Sequence, residues 1–290
     1  MPAALLLTAA HKPLPPSGEL VLDAANPVVE VQIAGVPLRL RVDLDQHDNI
    51  ELNPAAAAAL SALKWEAGLD TDVGRVRLHS RIAPAILRID GREQPSQVAE
   101  HGRNCCAGSD GAIGPDLLPF ATVRWRRDAA PSPTATRTLS LADSPMFGLS
   151  AAGDIGKLRL RFALTQPETV GTAAAGALLA QEYGGHWNGA PRHVTLAFGV
   201  SRPARIIAFA RNVNLAGFPF DQLLLRISDF AGEARLPTDP VDPGDIVVTR
   251  HLDRQRAWPA ITLGADRLSR CAEIAYTAVP RTLTLRCAFD

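Results

Sequence analysis

The chain has 290 residues, 47% hydrophobic and 21% charged, so it can bury a core as one large domain or two lobes. Thirty basic and thirty acidic residues balance, and this neutrality disfavours nucleic acid or an anionic membrane surface as a partner. No segment approaches the roughly 20 consecutive apolar residues of a membrane helix, so we expect a soluble protein without a membrane partner.

The first half predicts strands and one clear helix start. Residues 1–19 are rich in proline and show little pattern, which indicates a leader ahead of the fold. From Leu20 onward, short runs alternate apolar and polar residues, as half-buried strands do. The predicted strands are 28–33, 38–44, 73–79 and 85–89. Pro54 and the five alanines after it predict a helix, because proline suits the first helical position and alanine propagates a helix well.

The second half begins after a proline-rich stretch. Residues 131–138 predict a linker, because Pro131-Ser-Pro-Thr-Ala-Thr136 is rich in proline and poor in large apolar residues. Further alternating runs then predict more strands. These are 156–164, 193–198, 205–210, 212–216 and 222–227. The chain is therefore predicted to be mainly β.

Two pairs of matching segments indicate an internal duplication. LRLRVDLDQ at 38–46 matches LRLRFALTQ at 158–166, and an alanine-rich run follows each. AIGPDLL at 112–118 matches TLGADRL at 262–268. The spacing grows from 120 to 150 between the two matches, which predicts about 30 extra residues in the second copy, around 218–250.

This order of motifs resembles the pepsin/retropepsin-like aspartic peptidases. In each copy a strand ends in an Asp-x-x turn or its counterpart, a helix follows, and an apolar-apolar-Gly strand leads into a short helix. The chain is similar to a degenerate bacterial member with two lobes. The resemblance implies two pseudo-symmetric pepsin-like lobes with short helices, at 20–130 and 139–290. It also implies a monomer, because one chain carries both lobes.

The resemblance assigns the site residue by residue. The two Asp-Thr-Gly loops of the family correspond to Asp43-Leu44-Asp45 and Ala163-Leu164-Thr165, and the glycines of the two apolar-apolar-Gly strands to Gly114 and Gly264. The family's chemistry needs two neighbouring carboxylates that share one proton. Ala163 removes one of them, and leucine at 44 and 164 offers only packing where the family's threonines hydrogen-bond across the junction. Ordinary endopeptidase activity is therefore not expected.

Three functions stay open at this point. The favoured one is a pseudopeptidase that binds an extended peptide or protein segment in the cleft between the lobes, with Asp43 a remnant satisfied by the N–H groups of its own turn. The second is a working hydrolase that pairs Asp43 with a non-standard carboxylate, either Asp45 or, less favoured, Asp229. The third is a structural or accessory protein whose own loops fill the cleft. We expect no cofactor and no metal, since Asp43, Asp45, His47 and Asp48 fit a polar turn better than a calcium loop.

The four cysteines bear on the cellular compartment. Cys271 and Cys287 bracket a predicted hairpin centred on Val279-Pro280, which would place their sulfurs opposite one another. Four cysteines allow three pairings, and the adjacent Cys105 and Cys106 are expected to bridge only with local strain. An oxidised Cys271–Cys287 pair implies a periplasmic or secreted protein. Buried free thiols in a cytoplasmic protein are the open alternative.

Overall fold

The structure, a computed structural model, describes residues 15–73, 76–144, 148–227 and 258–289. These residues are mainly β, as predicted. The strands are β1 Glu19–Asp23, β2 Val28–Ile33, β3 Val36–Val42, β4 Ile50–Leu52, β5 Glu66–Ala67, β6 Thr71–Val73, β7 Val76–Leu78, β8 Arg81–Ile89, β9 Arg92–Glu100, β10 Gly111–Ile113, β11 Thr122–Arg126, β12 Ala135–Ala142, β13 Ser150–Ala152, β14 Arg159–Phe162, β15 Val170–Gly171, β16 Gly185–Thr195, β17 Ser201–Leu215, β18 Phe218–Arg226, β19 Ala260–Leu263, β20 Cys271–Thr277 and β21 Thr282–Cys287. The helices are α1 Pro54–Ala59, α2 Ala173–Tyr183 and α3 Ala265–Leu268, with 3-10 turns at Pro115–Leu117 and Ala197–Gly199. None of the helices in these ranges is long and apolar enough to cross a bilayer.

Seven strands of the first half form one sheet, and six of them close into a barrel, with β5 attached only to β8. Their order is β2-β3-β10-β4-β9-β8-β5, and β2 also pairs with β8, which closes the sheet on itself. The alternation of β2 explains its placement, because Val29, Val31 and Ile33 are buried while Glu30 and Gln32 face outward. The first barrel therefore has an apolar interior that the period-two pattern of the sequence encodes.

A twelve-stranded sheet joins the two halves of the chain. Its order is β1-β11-β20-β21-β12-β13-β14-β19-β15-β18-β17-β16. The last two strands of the chain, β20 and β21, therefore lie between β11 and β12, which come before its midpoint. Trp125 on β11 is fully buried, and its indole N–H donates to the carbonyl oxygen of Val42 at 3.3 Å. The end of β3 is thereby attached to the shared sheet.

The same order of strand pairings occurs in both halves. In the first half β3 runs parallel to β10, β10 antiparallel to β4, β4 parallel to β9, and β9 antiparallel to β8. In the second half β14, β19, β15, β18 and β17 follow each other with the same directions. In each half, the first strand of this order is paired with a parallel neighbour. The loops that follow β3 and β14 therefore come after strands with the same position in the two pairing orders.

The helix predicted from Pro54 is present, and the alanine-rich run of the second half forms α2. Pro54 opens α1. The Thr172 hydroxyl caps α2 by accepting the N–H of Ala175 at 3.1 Å, which satisfies one of the unpaired donors of the first turn. Gly176 lets α2 lie directly on β18, since a Cβ atom there would be 2.2 Å from a methyl carbon of Leu225.

Two predicted segments differ from the structure. Residues 135–138 of the predicted linker belong to β12, which pairs with β21 along its length. The predicted insertion at 218–250 begins with β18, a strand that pairs with β15 and β17 and is needed by the sheet. In the first case the partner strand is distant in the sequence, and in the second β18 forms a hairpin with the preceding strand β17 and also pairs with β15. The rest of the predicted insertion, with Asp229, lies outside the described residues.

Candidate functional site

The loops after β3 and β14 are held by equivalent backbone hydrogen bonds. The N–H of Asp43 donates to the carbonyl of Ile113 at 3.0 Å, and the N–H of Ala163 donates to the carbonyl of Leu263 at 3.0 Å. Each bond continues the parallel pairing of the preceding strand by one residue. The two loops therefore begin in the same geometry, although one starts with a carboxylate and the other with a methyl group.

The predicted structural glycines lie where these loops pass over the neighbouring strands. A Cβ atom on Gly114 would be 2.2 Å from the carbonyl oxygen of Gln46, and one on Gly264 would be 2.7 Å from that of Gln166. Real side chains do not tolerate such contacts with backbone, so any other residue would push the loop away from the strand end.

The Asp43 carboxylate is buried and accepts hydrogen bonds from the second loop. The residue is only 5% exposed. Its Oδ2 accepts the Thr165 hydroxyl at 2.5 Å, and its Oδ1 accepts the N–H of Leu164 at 3.2 Å and that of Asp45 at 3.4 Å. These three donors offset the cost of removing a carboxylate from water. The junction thus has a direct polar bond, where the leucines had led us to expect packing alone.

The position that faces Asp43 carries no second carboxylate. Ala163 is 3% exposed, and Thr165 fills the space beside it with a hydroxyl group. Asp45 turns to the second half, where its Oδ1 lies 2.6 Å from a guanidinium nitrogen of Arg161, in an ion pair without hydrogen-bond alignment. Burial raises the pKa of Asp45, the Arg161 charge opposes that rise, and the Asp43 charge adds to it.

Three carboxylates surround His47 at the far end of the loop that begins with Asp43. His47 Nδ1 lies 2.7 Å from Asp116 Oδ2, and Nε2 lies 2.7 Å from Asp143 Oδ1 and 2.8 Å from Asp48 Oδ1. The hydrogen bond that His47 donates to Asp116 is the largest cause that raises the pKa of His47 to about 9. His47, Asp48 and Asp143 also bring three potential metal donor atoms within 4.8 Å. In the structure these contacts form a network of ion pairs around His47.

A long hairpin of the second half reaches the first half. In β16, Arg192 forms two hydrogen bonds with the carboxylate of Glu168, in the segment that follows Thr165. At the tip of the hairpin, the ring of Phe198 lies 4.9 Å from the ring of His101, a first-half residue. The β16–β17 hairpin therefore bridges the two halves beside the loops.

A small concavity lies under this hairpin next to the second loop. It is lined by Arg161, Gln166, Val170, Thr172, Leu196, Arg226, Trp258, Ala260 and Thr262. Arginine, amide and hydroxyl groups stand there beside apolar side chains, so the lining is both polar and apolar.

The cysteines form two pairs in the structure. Cys271 and Cys287 lie opposite one another on β20 and β21 and are bonded, as the predicted hairpin required. Cys105 and Cys106, which the sequence disfavoured as a pair, are also bonded. The side chain of Asn53 explains how this tight turn is held, since its Oδ1 accepts the N–H groups of both cysteines.

Comparisons with known proteins identify no family. The sequence matches no protein-family profile, and it matches no curated protein. Among solved structures, the EIAV protease complexed with the inhibitor HBY-793 is similar, with 18% identity over 32% of this chain and 85% of that chain. The TM-score of 0.27 makes this a weak likeness to a retroviral aspartic protease.

Proposed function

We propose that this protein is a two-lobed relative of the aspartic peptidases that lacks the catalytic pair and binds an extended peptide or protein segment between its lobes. The observation that carries the proposal is the state of Asp43. Its buried carboxylate is bound by three donors, two of them from the second loop, and the facing position is Ala163.

This arrangement removes both parts of the acid–base chemistry. An aspartic pair works because two carboxylates cannot both ionise at close range, so one proton is shared and the pair acts as acid and base together. The hydroxyl of Thr165 and the N–H of Leu164 are neutral donors, and the Asp43 carboxylate accepts a hydrogen bond from each of them. Such a carboxylate is suited to holding the two loops together.

The repeated strand pairings support a duplicated architecture. The equivalent hydrogen bonds of Asp43 and Ala163 and the equivalent steric roles of Gly114 and Gly264 support lobes near 20–130 and 139–290. One chain then supplies both walls of the cleft, so a monomer is sufficient.

Peptide binding is supported by the position of the β16–β17 hairpin. The hairpin is attached to the second loop through Arg192 and Glu168 and reaches the first half through Phe198. An extended chain that enters between hairpin and loops would meet backbone groups and the mixed concavity below, the usual elements of extended-peptide recognition. The two cysteine pairs support an oxidising compartment, periplasmic or secreted.

A hydrolase that uses Asp43 with Asp45 is the second candidate. It is favoured by the burial of Asp45 and by the repulsion from Asp43, which both raise the Asp45 pKa. The ion pair with Arg161 speaks against it, because that contact favours a charged Asp45. The third candidate is an accessory protein whose own loops fill the cleft. It would require residues 228–250, which lie outside the described residues.

The test is a binding experiment in which the bound peptides are identified by mass spectrometry. The immobilised protein is incubated with a randomised library of extended peptides, and the retained peptides are identified by mass. We expect sequence-selective retention of intact peptides, weakened by Arg192→Gln, which releases the hairpin from Glu168. The matched control is Arg88→Gln, which breaks a similarly exposed pair with Glu93 on the first barrel. Retention that is unselective and equal in both variants would overturn the proposal.

A further inference from the structure

A chain of three polar side chains lies in the first half, apart from the Asp43 loop. Glu51 on β4 is 2% exposed, and both of its carboxylate oxygens lie about 3 Å from Nδ1 of His101, at 3.0 and 2.9 Å. The other ring nitrogen, Nε2, lies 3.2 Å from the hydroxyl oxygen of Thr71. A hydroxyl, an imidazole and a buried carboxylate therefore follow one another in hydrogen-bond contact.

The order of these contacts sets the tautomer of the histidine. A carboxylate at Nδ1 accepts a hydrogen bond from the N–H of that nitrogen, so the lone pair of the neutral ring is left on Nε2, which faces the hydroxyl of Thr71. Nε2 can then accept the hydroxyl proton. Burial raises the pKa of the Glu51 carboxyl, and the hydrogen bond with His101 opposes that rise.

The fold holds the carboxylate and the ring rigidly and leaves the hydroxyl accessible. Glu51 is paired on one side with Ala112 of β10 and on the other with Ala99 of β9, at the centre of the first barrel. His101 is 9% exposed, and the Phe198 ring packs against it from the second half. Thr71 is only partly buried at the start of β6. The hydroxyl end of the chain of contacts is thus the end that solvent can reach, while the carboxylate end is buried.

We propose that Thr71, His101 and Glu51 form a nucleophile, a general base and an orienting carboxylate for acyl transfer from carboxylic esters. The Thr71 oxygen bonds to the ester carbonyl carbon while its proton passes to His101 Nε2. The C–O bond to the alcohol then breaks, and the alcohol leaves with that proton. Water hydrolyses the acyl-threonine with the same base and releases the acid. Phe198 supplies an apolar wall for the acyl group.

This inference does not rest on the proposed peptide binding, because none of its three residues belongs to the Asp43 junction. The same contacts would also satisfy a buried histidine in a purely structural role. The experiment therefore needs a readout that a structural role would not produce, which is a covalent bond at Thr71.

The protein is treated with a fluorophosphonate probe, digested and mapped by mass spectrometry, and hydrolysis of p-nitrophenyl butyrate is followed in parallel. We expect the probe on Thr71. Labelling and hydrolysis should be lost in Thr71→Ala, retained in Thr71→Ser, and reduced by about 10²-fold or more in Glu51→Gln. The control is Thr138→Ala, which removes an exposed hydroxyl bonded to Thr284 and should change neither signal.

Thermal unfolding of each variant separates loss of chemistry from loss of fold. Thr71→Ala and Thr71→Ser each change a partly buried side chain by a few atoms, so both should unfold at nearly the wild-type temperature. A wild-type protein that is unlabelled at Thr71, or an ester hydrolysis rate that Thr71→Ala leaves unchanged, would overturn the proposal.

Discussion

Removing the hydroxyl that reaches Asp43 should destabilise the protein through one identifiable bond. Thr165→Val keeps the shape of the side chain and removes the donor 2.5 Å from Asp43 Oδ2. A hydrogen bond to a charged group contributes about 1.5–3 kcal/mol, and Asp43 is too buried for water to replace the donor. We therefore expect the free energy of unfolding to fall by about 1.5–3 kcal/mol, measured by urea denaturation at neutral pH.

The control and the second background make this expectation refutable. Thr138→Val removes an exposed hydroxyl bonded to Thr284 and should cost no more than about 0.5 kcal/mol. In an Asp43→Ala background the acceptor is absent, so Thr165→Val should also cost no more than about 0.5 kcal/mol. Equal costs in the wild-type and Asp43→Ala backgrounds would refute the argument that Thr165 acts through Asp43.

Three further predictions concern pH, packing and the disulfide. The pKa of His47 is raised to about 9 from an ordinary value of about 6.5, so its contribution to the stability of the fold is complete below about pH 6.5 and lost as the pH rises through about 9. Urea unfolding of the wild type across this window should show the decline in the free energy of unfolding. An unchanged decline in His47→Gln would contradict the assignment. Gly264→Ala should destabilise by about 1–3 kcal/mol in the same assay, because its Cβ would meet the backbone of Gln166, and a neutral result would contradict that contact. Replacing Cys271 and Cys287 by serine should cost about 3 kcal/mol, and an unaltered mass on reduction of wild type would show that no bridge exists.

Local sequence patterns predicted those strands and helices whose pattern of buried and exposed residues is visible within the segment itself. The alternation of β2 and β3 and the Pro54 helix start depend on neighbouring residues, so the sequence carries them directly. The hairpin between Cys271 and Cys287 was predictable for the same reason. The extent of β12 was not, because its pairing with β21 depends on residues nearly 150 positions away.

The contacts of Asp43 could not be predicted from the sequence. The matched segments indicated Asp43 and Ala163 as equivalent residues, yet the donors to the Asp43 carboxylate were expected from its own turn. The structure supplies two of them from Leu164 and Thr165, 121 and 122 residues away. No local pattern in the sequence could join these residues, since their contact exists only after the two halves have docked.

Two clusters of polar side chains had no signal in the sequence. His47 gathers Asp116 and Asp143 from distant elements, and His101 gathers Glu51 and Thr71. Polar residues scattered through strands and loops resemble any solvated surface until the fold brings them together. Only a search for coupled substitutions among related sequences would have had access to such contacts.

The most direct test of the missing catalytic pair is turnover at acidic pH. Wild-type protein and Asp43→Asn are incubated with a peptide library between about pH 3 and pH 6, and the products are counted by mass spectrometry. A carboxylate without a partner predicts no cleavage above the buffer control in either sample. Cleavage by the wild type that disappears in Asp43→Asn would contradict the account.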